Sequence, residues 1–311
     1  MISVPMDVLT QFPVRKSKKQ KHEFINAIRA YCADLGYKVS VQKGSMGAQN
    51  IVIGNPATAK YVVTAHYDTC ATLPFPNFIT PRNLAAYLAY QIFVLALFFG
   101  ICALISALVY LITNDPEISF WIAYLSYFGL FFLMLFGPAN KHNANDNTSG
   151  VVTLLEIART MPEIHRHKVC YVLFDLEEAG LIGSSSYRKD HKQQTDRQII
   201  LNLDCVGDGD ELMMFPTKKL KANDAAMAAL EKICGQCGPK SLSLHKKGFA
   251  MYPSDQKNFP QGVGIAAFRR NKFLGLYCSR IHTHRDTILE QTNVNILRAA
   301  LTTLICDLTA E

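Results

Sequence analysis

Two long apolar runs interrupt a chain that elsewhere mixes polar and apolar positions. Residues 83–114 and 118–140 contain no charged side chain, and Asp115 and Glu117 are the only charges in residues 83–140. Each run exceeds the ~20 residues that a helix rising ~1.5 Å per residue needs to cross a bilayer. The pattern predicts a transmembrane hairpin turning at Asn114-Asp115-Pro116-Glu117, with a buried helical cap or a dimerisation hairpin as the alternative. Trp121, Tyr124, Tyr127 and Tyr110 are candidate interfacial anchors. Before the runs, Phe24, Ile25, Ile28, Tyr31, Cys32 and Leu35 have helical spacing, which predicts a helix over 19–36 closed by Gly36. Strands are predicted over 37–41, 50–54 and 60–65. After the runs come a helix at 150–160, a strand at 168–174, a helix at 183–189, a strand at 199–204, a helix at 224–234, a strand at 264–268 and a helix at 294–309. This alternation defines an α/β class.

The expected organisation is therefore one domain in two pieces, residues 1–82 and 141–311, separated by the hairpin at 83–140. The two pieces hold 253 residues and 55 of the 57 charges, an ordinary density for a water-facing core. A hairpin returns to the side it left, so both pieces share a compartment. Arg82 and Lys141 flank it, its turn is acidic and the first 82 residues carry no signal-peptide pattern, so a two-pass membrane protein with its domain in the cytoplasm is expected. Nine cysteines, odd in number and scattered, are expected to be reduced thiols. The basic run from Arg15 to Lys21 reads as a solvated face or as a contact with an anionic leaflet. The net charge of +7 comes without any nucleic-acid motif, so no nucleic-acid partner is expected. Oligomerisation is not indicated.

In an open α/β sheet ligands gather beyond the carboxyl ends of the strands. There the sequence places His66 and Asp68, then Asp175, Glu177 and Glu178, then Asp204; Asp146 precedes a helix, and His282 lies in a loop. Carboxylates and imidazoles crowded at one sheet edge satisfy one another when a cation lies among them. Singly, each residue also fits a helix cap, a turn or a strand end.

The ordered set His66-x-Asp68, Asn145-Asp146-Asn147-Thr148-Ser149-Gly150, Glu177-Glu178, Asn202-Leu203-Asp204 and His282-Thr283-x-x-Asp286-Thr287 resembles the M28 family of co-catalytic zinc aminopeptidases. The resemblance implies a three-layer α/β/α fold with a mixed central sheet, and two divalent metal ions, zinc being expected. One ion would take His66, Asp146 and Asp204, and the other Asp146, Glu178 and His282. Glu177 would be the general base, with Asp68 beside it in the catalytic set. Asp68 and Asp286 would orient the imidazoles, and a cis peptide is implied after Asp146. Ser254, Asp255, Gln256 and Phe259 resemble the family's Ser-Asp-His-x-x-Phe segment and would line the substrate pocket, although Gln256 stands where that segment has histidine. His284, His142 and Arg280 are expected at the rim or surface. The pair Cys234–Cys237 lacks the second pair of a zinc ribbon.

The function implied is a membrane-anchored aminopeptidase acting on peptides. Another hydrolase of the same kind, a glutaminyl cyclase or a non-catalytic scaffold are the alternatives. The hairpin begins shortly after Asp68 and ends just before Asp146, so the pocket is expected to border the membrane and to receive membrane-associated peptides.

Overall fold

A computed structural model describes residues 2–307. In chain order its helices are α1 (Asp7–Gln11), α2 (Lys18–Asp34), α3 (Leu84–Thr113), α4 (Pro116–Phe136), α5 (Gly150–Thr160), α6 (Ile182–Asp190), α7 (Lys192–Thr195), α8 (Lys218–Lys221), α9 (Asp224–Lys232) and α10 (Gln291–Asp307). The strands are β1 (Val39–Lys43), β2 (Gln49–Ile53), β3 (Tyr61–His66), β4 (Val169–Phe174), β5 (Ile199–Leu203), β6 (Glu211–Pro216), β7 (Gly235–Cys237), β8 (Lys240–Leu244), β9 (Gly262–Asn271) and β10 (Gly275–Tyr277). The last two residues of the helix expected at 294–309 lie outside the described residues.

One mixed sheet runs in the order β1-β2-β4-β3-β5-β9-β6-β8-β7, with β10 paired to β9. The central strands β4, β3, β5 and β9 are parallel, so the ends of β4, β3 and β5 open on one edge. Every residue of β3, β4 and β5 is buried, as expected of parallel strands covered on both faces. The two-residue period sorts them: Tyr61, Val63, Ala65, Tyr171 and Leu173 join a core with α2, α5 and α10, and Val62, Cys170, Val172 and Phe174 join a second core with Tyr187 and Phe259. The layers are those expected, and the register of β3 on β4 brings His66 level with Phe174.

Sequence periodicity finds α2 but not its start, where Ser17 and Gln20 form a reciprocal capping box. The basic run is not uniformly solvated. Arg15 is fully buried, its guanidinium donating to the carbonyls of Tyr67 and Phe12 and to Thr148 Oγ1. Lys21 is buried against Asp175. Of the run's cations only Lys18 and Lys19 stand in solvent, while Lys16 Nζ donates to the Leu135 carbonyl at 3.0 Å.

Helices α3 and α4 pack on each other, with Phe99 stacked on Tyr127 at 5.8 Å and Ser106 Oγ donating to the Ser119 carbonyl. Asn114 takes a left-handed conformation at the turn, and Asp115 caps α4 by accepting from the amides of Glu117 and Ile118. Both helices are long and apolar enough to cross a membrane. Among their residues only Phe98, Cys102 and Ser119 are buried, so the hairpin is not a cap sunk into the domain.

Candidate metal centre and its neighbours

His66 ends β3, Glu177 and Glu178 follow β4, and Asp204 follows β5. Asp146 comes from the irregular turn at Ala144–Ser149 that leads into α5, and His282 from the loop after β10. Leu176, Cys205 and His282 all have positive φ, at 54°, 55° and 64°. Such conformations are uncommon in residues with side chains and cluster at functional sites; here the first two turn the chain sharply beside Glu177 and Asp204.

The turn around Asp146 is held by the amides on either side of it. Asn145 Oδ1 accepts from the backbone of Gly207 and Asp208. Asn147 donates to the Leu203 carbonyl and accepts from the Gly150 and Cys205 amides. Both side chains thereby tie Asp146 to the segment that carries Asp204. A Cβ at Gly150 would lie 2.4 Å from Asn147 Oδ1 and 2.5 Å from the Leu203 carbonyl, which explains the glycine. The Asp146–Asn147 peptide is cis, as the resemblance implied.

The side chains of all five expected ligands come together. His66 Nε2 lies 3.2 Å from Asp146 Oδ1 and 3.6 Å from Asp204 Oδ1. His282 Nε2 lies 3.1 Å from Asp146 Oδ2 and 3.3 Å from Glu178 Oε2. Donors bound ~2.0–2.2 Å from a zinc ion at tetrahedral angles are ~3.3–3.6 Å apart, so these gaps fit ligands around a small cation. Asp204 Oδ1 and Glu178 Oε1 are buried without a hydrogen-bond partner, as donors reserved for a metal would be. Glu177 lies in a further group with His66 and Glu178.

The electrostatics make the same demand for positive charge. Burial opposes protonation of His66, yet Glu177, Asp146, Asp204 and Asp68 together raise its pKa well above the ordinary value. His282 is raised to about 9, with Glu178 and Asp146 overcoming burial. Burial pushes Glu178 up to about 7, against the pull of His282, and raises Glu177 well above the carboxylate range, with Glu178, Asp255 and Asp204 adding to it. The crowded carboxylates thus favour positive charge among them, a need that a divalent cation would meet.

Of the two supporting carboxylates, Asp68 stands beside an imidazole as expected and Asp286 makes a different contact. Asp286 accepts from the amides of Asn145 and Asp146 at 2.7 and 2.9 Å, and so holds the Asp146 backbone rather than an imidazole. Asp68 accepts from the amides of Glu177 and Glu178, and its Oδ1 is 3.5 Å from His66 Nδ1. Asp175 belongs to the Lys21 pair.

Of the expected pocket residues, Ser254 and Gln256 are buried and both accept from Asn202 Nδ2. Phe259 stacks on Phe174 in the core. Gln256 also lines a cavity of about 500 Å³ with Tyr252, Phe215 and Lys257. Asp255 is fully buried and is pushed up to about 7 by burial, against His66 and with Asp204 and Asp68 adding. His284 and His142 are exposed, and Arg280 pairs with Asp208. Cys234 and Cys237 are free thiols, as are the other seven cysteines. Cys70 was missed: its sulfur stands within ligand distance of Glu178 and His282, although it is only two residues beyond Asp68.

A mixed sheet between helices is the fold of a solved zinc exopeptidase. Residues 132–304 match the sequence model of Peptidase family M28, and the chain belongs to that family. Aminopeptidase YwaD of Bacillus subtilis (strain 168) is 41% identical over 115 residues, covering 34% of this chain; the match spans only 24% of YwaD. A Zn-dependent exopeptidase from Parabacteroides distasonis superposes with a TM-score of 0.61 at 14% identity, covering 97% of this chain and 96% of that one. The LapA aminopeptidase of Legionella pneumophila gives 0.59 at 14% identity, covering 99% and 71%. A glutaminyl cyclase of Porphyromonas gingivalis also gives 0.59, at 15% identity over 98% and 96%. At these identities the structural likenesses speak for the fold alone.

Proposed function

We propose that this chain is a metal-dependent aminopeptidase held in a membrane by the α3–α4 hairpin, with residues 1–82 and 141–311 forming its peptidase domain. One observation carries the metal assignment: the two oxygens of Asp146 each reach a different imidazole, at 3.2 and 3.1 Å, as a carboxylate shared by two ions would. His66, Asp146 and Asp204 would hold one ion, and Asp146, Glu178 and His282 the other. Divalent zinc there would supply Lewis acidity, polarising the scissile carbonyl and making water acidic enough to lose its proton near neutral pH.

The chain's own residues do the rest. Glu177, adjacent to a ligand and not needed as one, takes the proton of the attacking water on its carboxylate and returns it to the leaving amine. Asp68 fixes the Glu177–Glu178 turn through its two amide contacts, which sets where that carboxylate stands. Asp286 fixes the Asp146 backbone. Asp286→Asn is therefore expected to weaken metal binding about 10–100-fold, measured by competition with a chelator.

Arg82 and Lys141 at the hairpin's base and Asp115 and Glu117 at its turn support a cytoplasmic domain. The glutaminyl cyclase reading draws on the shared fold; the full pair of ligand sets favours the hydrolase. Mass spectrometry of a peptide library with free and N-acetylated members, some beginning with Gln, incubated with detergent-purified, zinc-loaded protein, tests the assignment. Stepwise loss of N-terminal residues from free peptides alone is expected. Trimming from the carboxyl end would overturn the aminopeptidase assignment, and loss of ammonia from the Gln peptides would favour the cyclase.

A further inference from the structure

We propose that the substrates are apolar peptides anchored in the bilayer, whose free amino termini reach the centre at the membrane surface; this rests on the reading of the centre as an aminopeptidase site and of α3–α4 as a membrane hairpin.

Both roots of the hairpin are built into the walls of the centre. On the way out, the segment at 70–82 runs beside the loop that carries His282, with the Leu73 amide donating to the His282 carbonyl at 2.8 Å and the Asn77 amide to Ile281 at 3.2 Å. On the way back, the Thr72 amide donates to the Pro138 carbonyl and the Asn140 amide to Cys70, while Asn140 Nδ2 donates to the Thr283 carbonyl. A cavity of about 100 Å³ is bounded by Asp68 and Glu178 on one side and by Leu135 and Phe136, in the last turn of α4, on the other.

Helix lengths set the depth of these groups. The 21 residues of α4 span ~31 Å at ~1.5 Å each, which matches the ~30 Å hydrocarbon core. With Pro116 at the far boundary, Phe136 lies at the near one, and the cavity opens at the bilayer surface. An equal length counted back along α3 from Thr113 reaches Phe93. Phe98 is then ~8 Å inside the hydrocarbon, and the ring of Phe75, on the outgoing segment, lies 6.4 Å from it. The rest of α3 continues below the boundary, where Tyr90 Oη donates to the Pro76 carbonyl and its ring meets Phe78. The segment from Cys70 to Pro81 therefore joins the His282 loop to a side chain of α3 that it covers at the depth of the hydrocarbon. A peptide arriving through water gains nothing from apolar groups so placed. One that is anchored in the bilayer presents its amino terminus at the level of the centre and is held there at high local concentration.

Reach separates this proposal from the plain advantage of sharing a membrane. The full chain, zinc-loaded and reconstituted in phosphatidylcholine vesicles, is given one N-terminal sequence in three forms: free in solution, joined to an apolar transmembrane segment by a spacer of ~3 residues, and joined to it by a spacer of ~12. Extended chain covers ~3.3 Å per residue, so the spacers reach ~10 and ~40 Å from the surface. Cleavage of the short-spacer form is expected, with kcat/KM within about threefold of the long-spacer form and at least ~10-fold above the free peptide. Cleavage of the long form without the short would overturn the proposal by placing the centre far from the bilayer. Equal cleavage of free and anchored forms would also overturn it; both results leave the aminopeptidase assignment standing. If no form is cut, including the free peptide, the aminopeptidase assignment itself falls.

Discussion

Glu177→Gln is expected to lower kcat about 10²–10⁴-fold while leaving the metal content of the purified protein unchanged. The amide keeps the shape of the side chain and the hydrogen bonds that the turn's backbone amides donate to Asp68, which do not involve the Glu177 carboxylate. What it loses is the ability to accept the proton of the attacking water. Glu178 and Asp204 would be occupied as metal ligands beside the imidazoles, and Asp68 is engaged by two amides. KM is expected to change little, since the proton is moved only in the transition state. Zinc analysis by plasma mass spectrometry beside steady-state kinetics checks both halves. Loss of zinc with loss of rate would show that Glu177 is a ligand, an arrangement the grouping with His66 and Glu178 makes geometrically open.

Asp146→Ala is expected to have the larger effect on the metals themselves. Its two oxygens face the two histidines from opposite sides, so one deletion takes a donor from both ion positions, and zinc content is expected to fall from about two ions per chain to one or none. Asp204→Ala, which touches only the His66 side, is expected to empty one position and keep the other. Activity should fall by at least ~10⁴-fold in the Asp146 variant, because neither an activated water nor a polarised carbonyl survives. A thermal melt of the detergent-solubilised protein guards against simple unfolding. Equal zinc content in the two variants would rule out Asp146 as a shared donor.

Much of this centre is legible in the chain because its residues sit next to the most regular pattern there is. The runs that become β3, β4 and β5 are buried on both faces, so they read as short unbroken apolar segments, and the polar residues that follow each one stand at the same sheet edge. The hairpin is legible from the absence of charge alone. Other features depend on long-range contact. Strand β6, Glu-Leu-Met-Met-Phe-Pro, lacks the β-branched residues that mark a strand and is held by β9 and β8 on either side. Arg15 and Lys21 look like members of a solvated basic run, yet one sits under Tyr67 and Thr148 and the other meets Asp175. Asp286 is correctly placed near the centre by its spacing from His282. Its two amide partners come from a turn more than a hundred residues earlier, which no local pattern reports.

The position of the hairpin in the chain also bears on how the protein is made. Tyr61 of β3 pairs with Val169 of β4 and Ile199 of β5, so the centre of the sheet cannot close until both helices have been synthesised. When β3 leaves the ribosome, only the antiparallel pair β1–β2 is available as finished sheet. Joining strands so far apart would normally cost a long loop closure and slow the search. The two helices lie side by side and bring residue 83 back towards residue 137, so the intervening chain acts as a short staple instead of a long tether. Once the hairpin has formed, His66 and Asp146 are separated by a short effective path, which lowers the closure cost of bringing them together.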